Sequence, residues 1–478
     1  MSDWNPMTRR GITSRTACAA AFAGLLGAAA AAGAQTAAPP AGPVTFSKHI
    51  APIFQRSCEN CHNAEGVAPM PLVTYEEVRP WARSIKRRTS MGPRAGVMPP
   101  WFVEKDIGIQ KFKGDPSLTD EEIALIGAWV DAGAPQGNPS DLPPARAKAV
   151  EGWTIGEPDL VLRSKEMVVP ATGPDWWGDV GHIPTGLTED RYVAAVEVRE
   201  INDIPRTGPT STVGGRYVFH HMNYESAVAG GSDEANTAWP IHEVGRNPDI
   251  FPPEAGRLLA AGSELALSAG HIHSNGRETK AQLEFGFKFF PKGYKPLYKR
   301  SPLRLGNGID LDVKSNQAKQ EIHSYGVLQE HTKIIAFEPH LHAPGVRMCI
   351  EAVWGHNILT LNCVGYDHNW VKQYVYEDDA APLLPKGTIV HLIGFLDTTA
   401  ANTNVVDARN WAGGGRRSVA NMFIDLGYSV SLTEEQFQAE MAKRRARMKR
   451  NDYDIGCPLC WATPPPTSAA PAAGRQQQ

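Results

Sequence analysis

Short runs of alternating apolar and polar residues fill the chain from about residue 153 to residue 430, and this pattern constrains the fold most. The clearest runs cover 192–198, 281–290, 332–338 and 388–395, with Gly, Pro and Asn between them. Alternation is typical of strands with one buried face, and frequent turn residues are typical of sandwiches and barrels. Because no long helical pattern interrupts the runs, the sequence predicts a β-sandwich or jelly roll here.

Composition and length agree with a multidomain globular protein. The chain has 478 residues, enough for about three domains, and its 38 prolines and 45 glycines favour β-rich structure over helical bundles. A formal net charge of −3 argues against nucleic-acid binding, which normally needs a basic excess. No apolar stretch after residue 35 is long enough to span a bilayer, so we expect no transmembrane anchor in the mature chain.

Residues 1–34 have the features of a signal peptide. Arg9, Arg10 and Arg15 precede an Ala-rich apolar run over 17–32, and small residues at 32–34 suit cleavage before Gln35. Sec and twin-arginine export both remain open. Cleavage would remove Cys18 from the seven cysteines and leave six in an oxidising compartment. The sequence therefore predicts a periplasmic or otherwise exported protein.

A C-x-x-C-H motif over 58–62 predicts covalent c-type haem. Cys58 and Cys61 would add to the haem vinyl groups, and His62 would bind the iron. The alternative is a disulfide beside an incidental histidine, but the export signal favours haem. Met98 is the expected second axial ligand because Pro99 and Pro100 hold its loop extended. Met70 and Met91 are rivals, and Met98 as a simple core residue is the other alternative.

The block from 44 to 138 closes with a predicted helix. Thr119 and Glu122 form a capping box ahead of an apolar stripe, and Gly133 and Pro135 end the helix. The block resembles the small cytochrome c domains that are fused to larger domains in bacterial exported proteins. The residues that carry the resemblance are the 58–62 motif and the segments 68–72, 74–81, 98–101 and 128–134. It implies a small α-helical domain, His/Met ligation and electron transfer, followed by a linker over 139–151.

Imidazole and thioether donors recur along the β-patterned part of the chain. They are His220, His221, His271, His340, His342 and Met422. A His-X-His pair in a strand places both rings on one face. Adjacent histidines leave a regular strand on opposite faces, so they can share an ion only if the backbone bends or an edge is exposed. Imidazole and thioether without thiolate select copper, and the alternative is a set of satisfied core histidines.

In chain order these donors resemble those of the copper monooxygenase family that includes peptidylglycine α-hydroxylating monooxygenase and dopamine β-monooxygenase. The resemblance implies that His220, His221 and His271 hold one copper, with His273 as a rival to His271. His340, His342 and Met422 would hold the second copper, where O2 reacts, and are the implied catalytic residues. It also implies two jelly-roll lobes, over 152–305 and 306–430, that face each other across a solvent-filled cleft.

Departures from that family bear on the substrate. Glu338 stands where the peptide-hydroxylating member has an arginine that binds the peptide carboxylate, and Ile424 and Leu426 replace a polar pair. A peptide carboxylate is therefore a poor candidate, and a neutral or cationic ligand suits the site better.

We therefore expect an exported copper-dependent monooxygenase that hydroxylates a C–H bond of a small organic substrate with O2. A fused haem c would pass on electrons from an external donor, either a periplasmic redox protein or a small reductant. Two alternatives remain open. One is an electron-transfer or copper-binding protein without hydroxylase activity, and the other is a jelly-roll binding module in which the donors are structural.

The remaining cysteines predict two disulfides. Cys349 and Cys363 lie symmetrically about a turn at His356, so antiparallel pairing would bring them together. Cys457 and Cys460 lack a following histidine and favour a local disulfide over a second haem site. The tail from 431 to 478 begins with a capping box at Thr433, continues as a basic helix to about residue 450 and becomes disordered over 464–478. A solvated helix end is the favoured reading of the basic residues, ahead of docking to an acidic redox partner.

Overall fold

The computed structural model describes residues 42–63, 68–145, 153–205, 216–232, 235–244, 248–301, 303, 305–415, 420–449 and 454–460. The predicted signal peptide with Cys18, residues 146–151 of the predicted linker and the 464–478 tail lie outside these residues. The described chain is mainly β-sheet with few helices, consistent with β-sandwich domains, which confirms the prediction at that level. Within it, no helix is long and apolar enough to cross a bilayer.

The N-terminal part is helical and has its own core. Its helical elements are a π-helical turn at Phe46–Ile50, α1 at Ala51–Ser57, α2 at Tyr75–Val78, a 3-10 turn at Arg79–Trp81, α3 at Ala82–Thr89, α4 at Asp120–Asp131 and a 3-10 turn at Pro139–Asp141. The predicted capping box is present, because Thr119 Oγ1 accepts from the Glu122 amide at 3.2 Å and the Glu122 carboxylate accepts from the Thr119 amide at 2.9 Å. Phe46, Phe54 and Trp129 fill the core.

Two antiparallel sheets form the first lobe of the described chain. One contains β1 (Leu160–Arg163), β2 (Met167–Val169), β5 (Arg191–Asn202), β9 (Asp249–Ile250), β10 (Arg257–Leu259) and β12 (Thr279–Phe289). The other contains β3 (Trp176–Gly178), β4 (Gly181–Pro184), β6 (Phe219–Ala227), β7 (Thr237–Ala238), β8 (His242–Glu243) and β11 (Glu264–Ile272). Phe285 of the first sheet and Phe219 of the second share one hydrophobic core, so the sheets pack face to face.

The second lobe, as described, is built from three smaller antiparallel sheets. The largest has β13 (Lys299–Ser301), β16 (His331–Phe337), β20 (Tyr374–Val375), β21 (Leu383–Leu384) and β24 (Tyr428–Leu432). A second has β14 (Leu305–Asn307), β17 (Pro339–Leu341) and β23 (Phe423–Asp425). The third has β15 (Gln320–Val327), β18 (Gly345–Trp354), β19 (Asn357–Gly365) and β22 (Ile389–Leu396). Phe337, Phe423 and Ile350, one from each sheet, lie in a common core.

Packing crosses the domain boundaries expected from the sequence. Strand β13 falls inside the expected first lobe, 152–305, but pairs with β24 of the second lobe. Trp101 and Phe112 fall inside the expected helical block, 44–138, but contribute to the core of the second lobe. Val103 also forms a bridge with Val364 at the end of β19. The helical region and both lobes are therefore joined by direct contacts rather than by linkers alone.

Both predicted disulfides are present. Cys349 on β18 lies directly opposite Cys363 on β19 and is bonded to it, and Cys457 is bonded to Cys460. The tail helix, α5 (Glu434–Arg445), begins at the predicted Thr433 cap and ends earlier than expected. Its basic end is not simply solvated, because Arg444 is buried and pairs with Asp454 at 3.1 Å.

Candidate metal centre

Two irregularities in the pairing of β6 with β11 bring the adjacent histidines together. Ser268 pairs with Asn223 and His271 with His221, which leaves one extra residue in β11 near Ala269, whose φ is +50°. Ile272 then pairs with Phe219, so His220 is the extra residue in β6. A β-bulge bends a strand and redirects a side chain. The bend that an adjacent histidine pair needs in order to share an ion is therefore present.

The rings of His220, His221 and His271 have the mutual spacing of ligands on one metal. Their centroids are 4.9 Å apart for His220 and His271, 5.2 Å for His221 and His271, and 6.0 Å for His220 and His221. A metal–nitrogen bond of about 2.0 Å puts each centroid roughly 3.2 Å from the metal, so two imidazoles on one metal lie roughly 4.5 to 6.4 Å apart. All three separations fall in that interval.

Hydrogen bonding leaves the same nitrogen of each ring available. Within the described residues, Nδ1 of His220, of His221 and of His271 is buried without a hydrogen-bond partner. On the other side of the His271 ring, Nε2 lies 2.8 Å from Asp175 Oδ2, and Trp177 stacks on the ring at 3.9 Å. A carboxylate on the second nitrogen fixes the tautomer of a metal-binding histidine. The three Nδ1 atoms therefore have the lone pairs that a metal site requires.

His271 fits this group better than its rival His273. The His271 residue is only 2% exposed and directly faces His221 in the strand register. The ring of His273 lies 6.0 Å from His220 and 6.4 Å from His271, farther than the rings of the trio lie from His271.

The second donor group lies on β17 and β23. His340 pairs with Ile424 and Leu341 with Phe423. His342 directly follows β17 and Met422 directly precedes β23, so these two donors lie at the same end of the antiparallel pair. Nδ1 of His342 lies 2.9 Å from the carbonyl oxygen of Ala420, and donation there leaves Nε2 as the free lone pair.

Two side chains that sequence reasoning missed lie between the groups. Glu243 is opposite His221 in the pairing of β6 with β8, and its Oε1 lies 2.7 Å from Nδ1 of His340 without the alignment of a hydrogen bond. The ring of His368, in the loop after β19, lies 5.3 Å from His220 and 6.4 Å from His342. Because these side chains occupy the space between the groups, the donors form one cluster. This differs from the solvent-filled cleft that the family resemblance implied.

Burial keeps the clustered imidazoles neutral, which is the protonation state that binds metals. It lowers the pKa of His221 and His342 to about 3 and that of His368 to about 4, and it also holds the pKa of His220 well below its ordinary value. The charges of neighbouring histidines add to the effect. The donor atoms do not yet converge, since no three His, Cys, Asp or Glu side chains of the described chain surround a single point. Metal binding would therefore require ring rotations.

Within the described chain, the C-x-x-C-H segment presents two free thiols and a histidine nitrogen without a hydrogen bond. Cys58 and Cys61 follow α1 as free thiols, and burial raises the pKa of Cys58 to about 12. Nδ1 of His62 lies 2.9 Å from the carbonyl oxygen of Met70, and donation there leaves Nε2 free. Met98 is 38% exposed, so it does not act as a core residue. Its rival Met91 lines a cavity of about 400 Å³ together with Arg87, Arg88 and Arg94.

The loop over 366–373 contacts the surroundings of both sites. Asp367 Oδ2 accepts from the amide of Gly96 in the helical region at 3.3 Å. Lys372 lies close enough to Cys61 to lower the pKa of that thiol, against the larger rise caused by burial, and its Nζ is 5.9 Å from the centre of the Trp370 ring. His368 of the same loop neighbours His220. Apart from the aromatic and basic character of the loop, no pattern in the sequence indicates this connection.

Glu338 does not have the role expected for it. It is fully buried, and Nε2 of Gln373 donates to its Oε2 at 3.1 Å. Its own amide donates to Asp425 at 2.9 Å. A carboxylate enclosed in this way does not set the charge of a ligand surface, so the expectation of a cationic ligand loses its support.

Comparisons with known proteins add little. No family model matches the chain, and no curated protein matches it. Among solved structures, the chain is similar to one from cowpea mosaic virus empty particles. The match covers 62% of this chain and 97% of the viral chain at 11% identity, with a TM-score of 0.25. A match to a mutant oxalate decarboxylase of Bacillus subtilis covers 54% of this chain and 80% of the decarboxylase chain at 8% identity, with a TM-score of 0.12. Likenesses this weak carry no argument about fold or function.

Proposed function

We propose that the protein is an exported copper-dependent monooxygenase that hydroxylates a C–H bond of a small organic substrate, with electrons passed on by a haem c in its helical region. The observation that carries this proposal is the trio of buried, unpartnered Nδ1 atoms on His220, His221 and His271, spaced as ligands of one metal. The oxidised cysteine pairs support an exporting route for the chain. The two lobes are taken as jelly rolls on the strength of the family resemblance.

Each donor group has features that suit copper. His220, His221 and His271 would bind through Nδ1, with Asp175 holding the third ring in place. His340 and His342 would bind together with Met422, whose thioether is a weak soft ligand that favours the reduced ion. The backbone of Ala420 orients His342. Bound copper would supply one-electron chemistry and reaction with O2 at these positions.

The helical region suits a covalent haem. Cys58 and Cys61 would each add a thiol across a vinyl group, and Nε2 of His62 would face the iron. The Met70 carbonyl oxygen accepts from His62 Nδ1 and would hold that ring in place. Met98, or one of its rivals Met70 and Met91, would supply the methionine ligand.

The electron count explains the fusion of these parts. Hydroxylation consumes one O2, two electrons and two protons for each R–H and yields R–OH and water, whereas a haem carries one electron at a time. An external donor, either a periplasmic redox protein or a small reductant, would refill the haem. The 366–373 loop carries both Lys372, whose charge acts on Cys61, and His368, whose ring neighbours His220, so one short loop approaches both sites.

A second function is favoured by a different observation. Glu243 and His368 occupy the space between the donor groups, where the family resemblance implied solvent. This favours an electron-transfer or copper-binding protein without hydroxylase activity. It would bind copper and haem but would show no substrate-dependent consumption of O2.

The test is metal content followed by O2 uptake. The exported protein should contain two coppers and one haem per chain. Reduced protein should consume O2 in proportion to product when a panel of small neutral organic compounds is supplied, and His342→Ala should abolish this while His356→Ala, an exposed turn histidine, should not. Copper binding without substrate-dependent O2 uptake would support the second function instead. Absence of copper would overturn both.

A further inference from the structure

We propose that His368 is a fourth imidazole ligand of the site formed by His220, His221 and His271, so that residues from both lobes hold one metal. The inference rests on the proposed function in requiring that this trio binds copper. His368 lies in the second lobe, in the loop that follows β19, and nothing in its sequence surroundings resembles a metal motif.

Ring spacing assigns His368 to this site rather than to the His340 and His342 site. Its centroid is 5.3 Å from that of His220, close to the 4.9 Å between His220 and His271. Its 6.4 Å separation from His342 equals the roughly 6.4 Å that two imidazoles reach only when they stand in line across a metal. Sharing a metal with His342 would therefore need the most extreme ligand angle.

The available nitrogen of His368 is the same one as in the trio. Within the described residues its Nδ1 is buried and has no hydrogen-bond partner. The ring also makes a hydrogen bond to the backbone of Leu341, the residue between His340 and His342. A buried polar nitrogen without a partner is destabilising unless something takes its lone pair. A bound metal would satisfy all four Nδ1 atoms at once.

The loop that carries His368 is held in place on several sides. Tyr366 donates its hydroxyl hydrogen to the carbonyl oxygen of Leu341. Asp367 accepts from the amides of Gly96 at 3.3 Å and Asn369 at 3.0 Å, and its carbonyl oxygen accepts from the Trp370 amide at 3.0 Å. The backbone of such a fixed loop is in place before the metal arrives, so the ordering cost of binding is limited to the rotation of the ring.

A consequence follows for stability. The trio belongs to β6 and β11 of the first lobe, whereas His368 belongs to the second, so metal at this site would link the lobes. A ligand that binds only the folded arrangement stabilises it in proportion to its affinity. The thermal stabilisation produced by copper should therefore depend on His368.

The experiment compares His368→Gln and His368→Ala with His356→Gln in a His342→Ala background that isolates this site. Gln retains a polar group for the Leu341 backbone and guards against loss of folding. X-ray absorption of the Cu(I) form should count one imidazole fewer per copper in both His368 variants. Cu(I) affinity, measured by competition with a chromogenic chelator, should fall more than about tenfold, since even outer-shell partners of a metal contribute that much.

The outcomes separate the two levels of the proposal. The His356→Gln control should match its parent in ligand count, in affinity and in the copper-induced rise in melting temperature. If the parent binds copper but the His368 variants keep its ligand count and affinity, the inference about His368 fails while the proposed function stands. If the parent binds no copper, the proposed function itself fails.

Discussion

Oε1 of Glu243 lies 2.7 Å from Nδ1 of His340, and this contact joins the two donor groups. Glu243 belongs to the first lobe, where it is opposite His221 on β6, whereas His340 belongs to the second. The carboxylate is 2% exposed, so its charge acts in a poorly screened environment. Any ion held near His221 or near His340 would therefore feel this one negative charge.

Replacing that carboxylate should change the redox balance of the centre. In Glu243→Gln we expect the copper reduction potentials to rise, because loss of a buried negative charge destabilises the more positive ion. Redox titration followed by electron paramagnetic resonance measures this. Glu225→Gln, at an exposed position on the same strand, is the matched control and should leave the potentials where they are. Equal potentials in both variants would remove Glu243 from the centre.

Asp175 should act on the metal through His271. The Oδ2 to Nε2 contact of 2.8 Å orients the ring, so Asp175→Ala should weaken copper at the three-histidine site by roughly 10- to 100-fold. Chelator competition gives the affinity. Asp179→Ala removes a nearby carboxylate that accepts only a local backbone amide at 2.6 Å, and it should behave as wild type. Indistinguishable affinities for the two variants would show that Asp175 has no such role.

The haem assignment predicts that cysteine variants change the covalent attachment of the haem, whereas methionine variants change its spectrum. Cys58→Ala or Cys61→Ala should remove one of the two thioether bonds, and acid–acetone extraction of the denatured double variant should release the haem that the wild type retains. Met98→Ala should shift the haem spectrum away from low-spin His/Met character, while Met91→Ala should not. The reverse result would transfer the ligand role to Met91, and haem fully extractable from wild-type protein would contradict the assignment.

The buried histidines should make the metal-free protein sensitive to acid. Burial lowers the pKa of His221 from 6.5 to about 3, so the folded state stays neutral while the unfolded state takes up a proton. Its contribution to stability is present above pH 6.5 and is lost as the pH falls toward 3. Glu200 and Asp425, whose pKa values burial raises to about 7, act in the opposite direction. Because these groups oppose each other in the wild type, the effect of His221 is measured as the difference between the wild type and a His221 variant.

The measurement is the melting temperature of the metal-free protein between pH 7.5 and pH 5. The melting temperature should fall less steeply with acidification in His221→Gln than in wild type, because the variant lacks one histidine whose pKa is lowered by burial. His356→Gln, at an exposed turn, should keep the wild-type slope. A slope in His221→Gln as steep as in wild type would contradict the prediction.

Local signals in the sequence were enough to predict the elements whose cause is local. Alternation indicated the strands. Thr119 and Thr433 were recognisable as helix caps because a Glu or Gln follows each of them three residues later. The Cys349–Cys363 disulfide followed from symmetry about a turn. These features depend on neighbours within a strand, a helical turn or a hairpin.

The centre itself depends on relationships that no local pattern contains. The bulges at His220 and Ala269 arise from the pairing of two strands that are distant in sequence. The sequence therefore showed that two adjacent histidines need a bend to share an ion, but not that the bend is present. Glu243 and His368 are single residues without a motif, brought in by the docking of the lobes. The enclosure of Glu338 was equally invisible, because Gln373, which donates to its carboxylate, is remote in sequence.

The central claim is that electrons pass from the haem through the histidine cluster to O2, and one stopped-flow measurement tests it most directly. Haem is first reduced, and the protein is then mixed with O2 and substrate while the haem band is followed. Copper-loaded wild type should reoxidise its haem at least as fast as it turns over, and His221→Ala or removal of copper should slow this step while leaving haem content unchanged. Haem oxidation that is slower than turnover, or equally fast without copper and without His221, would contradict the claim.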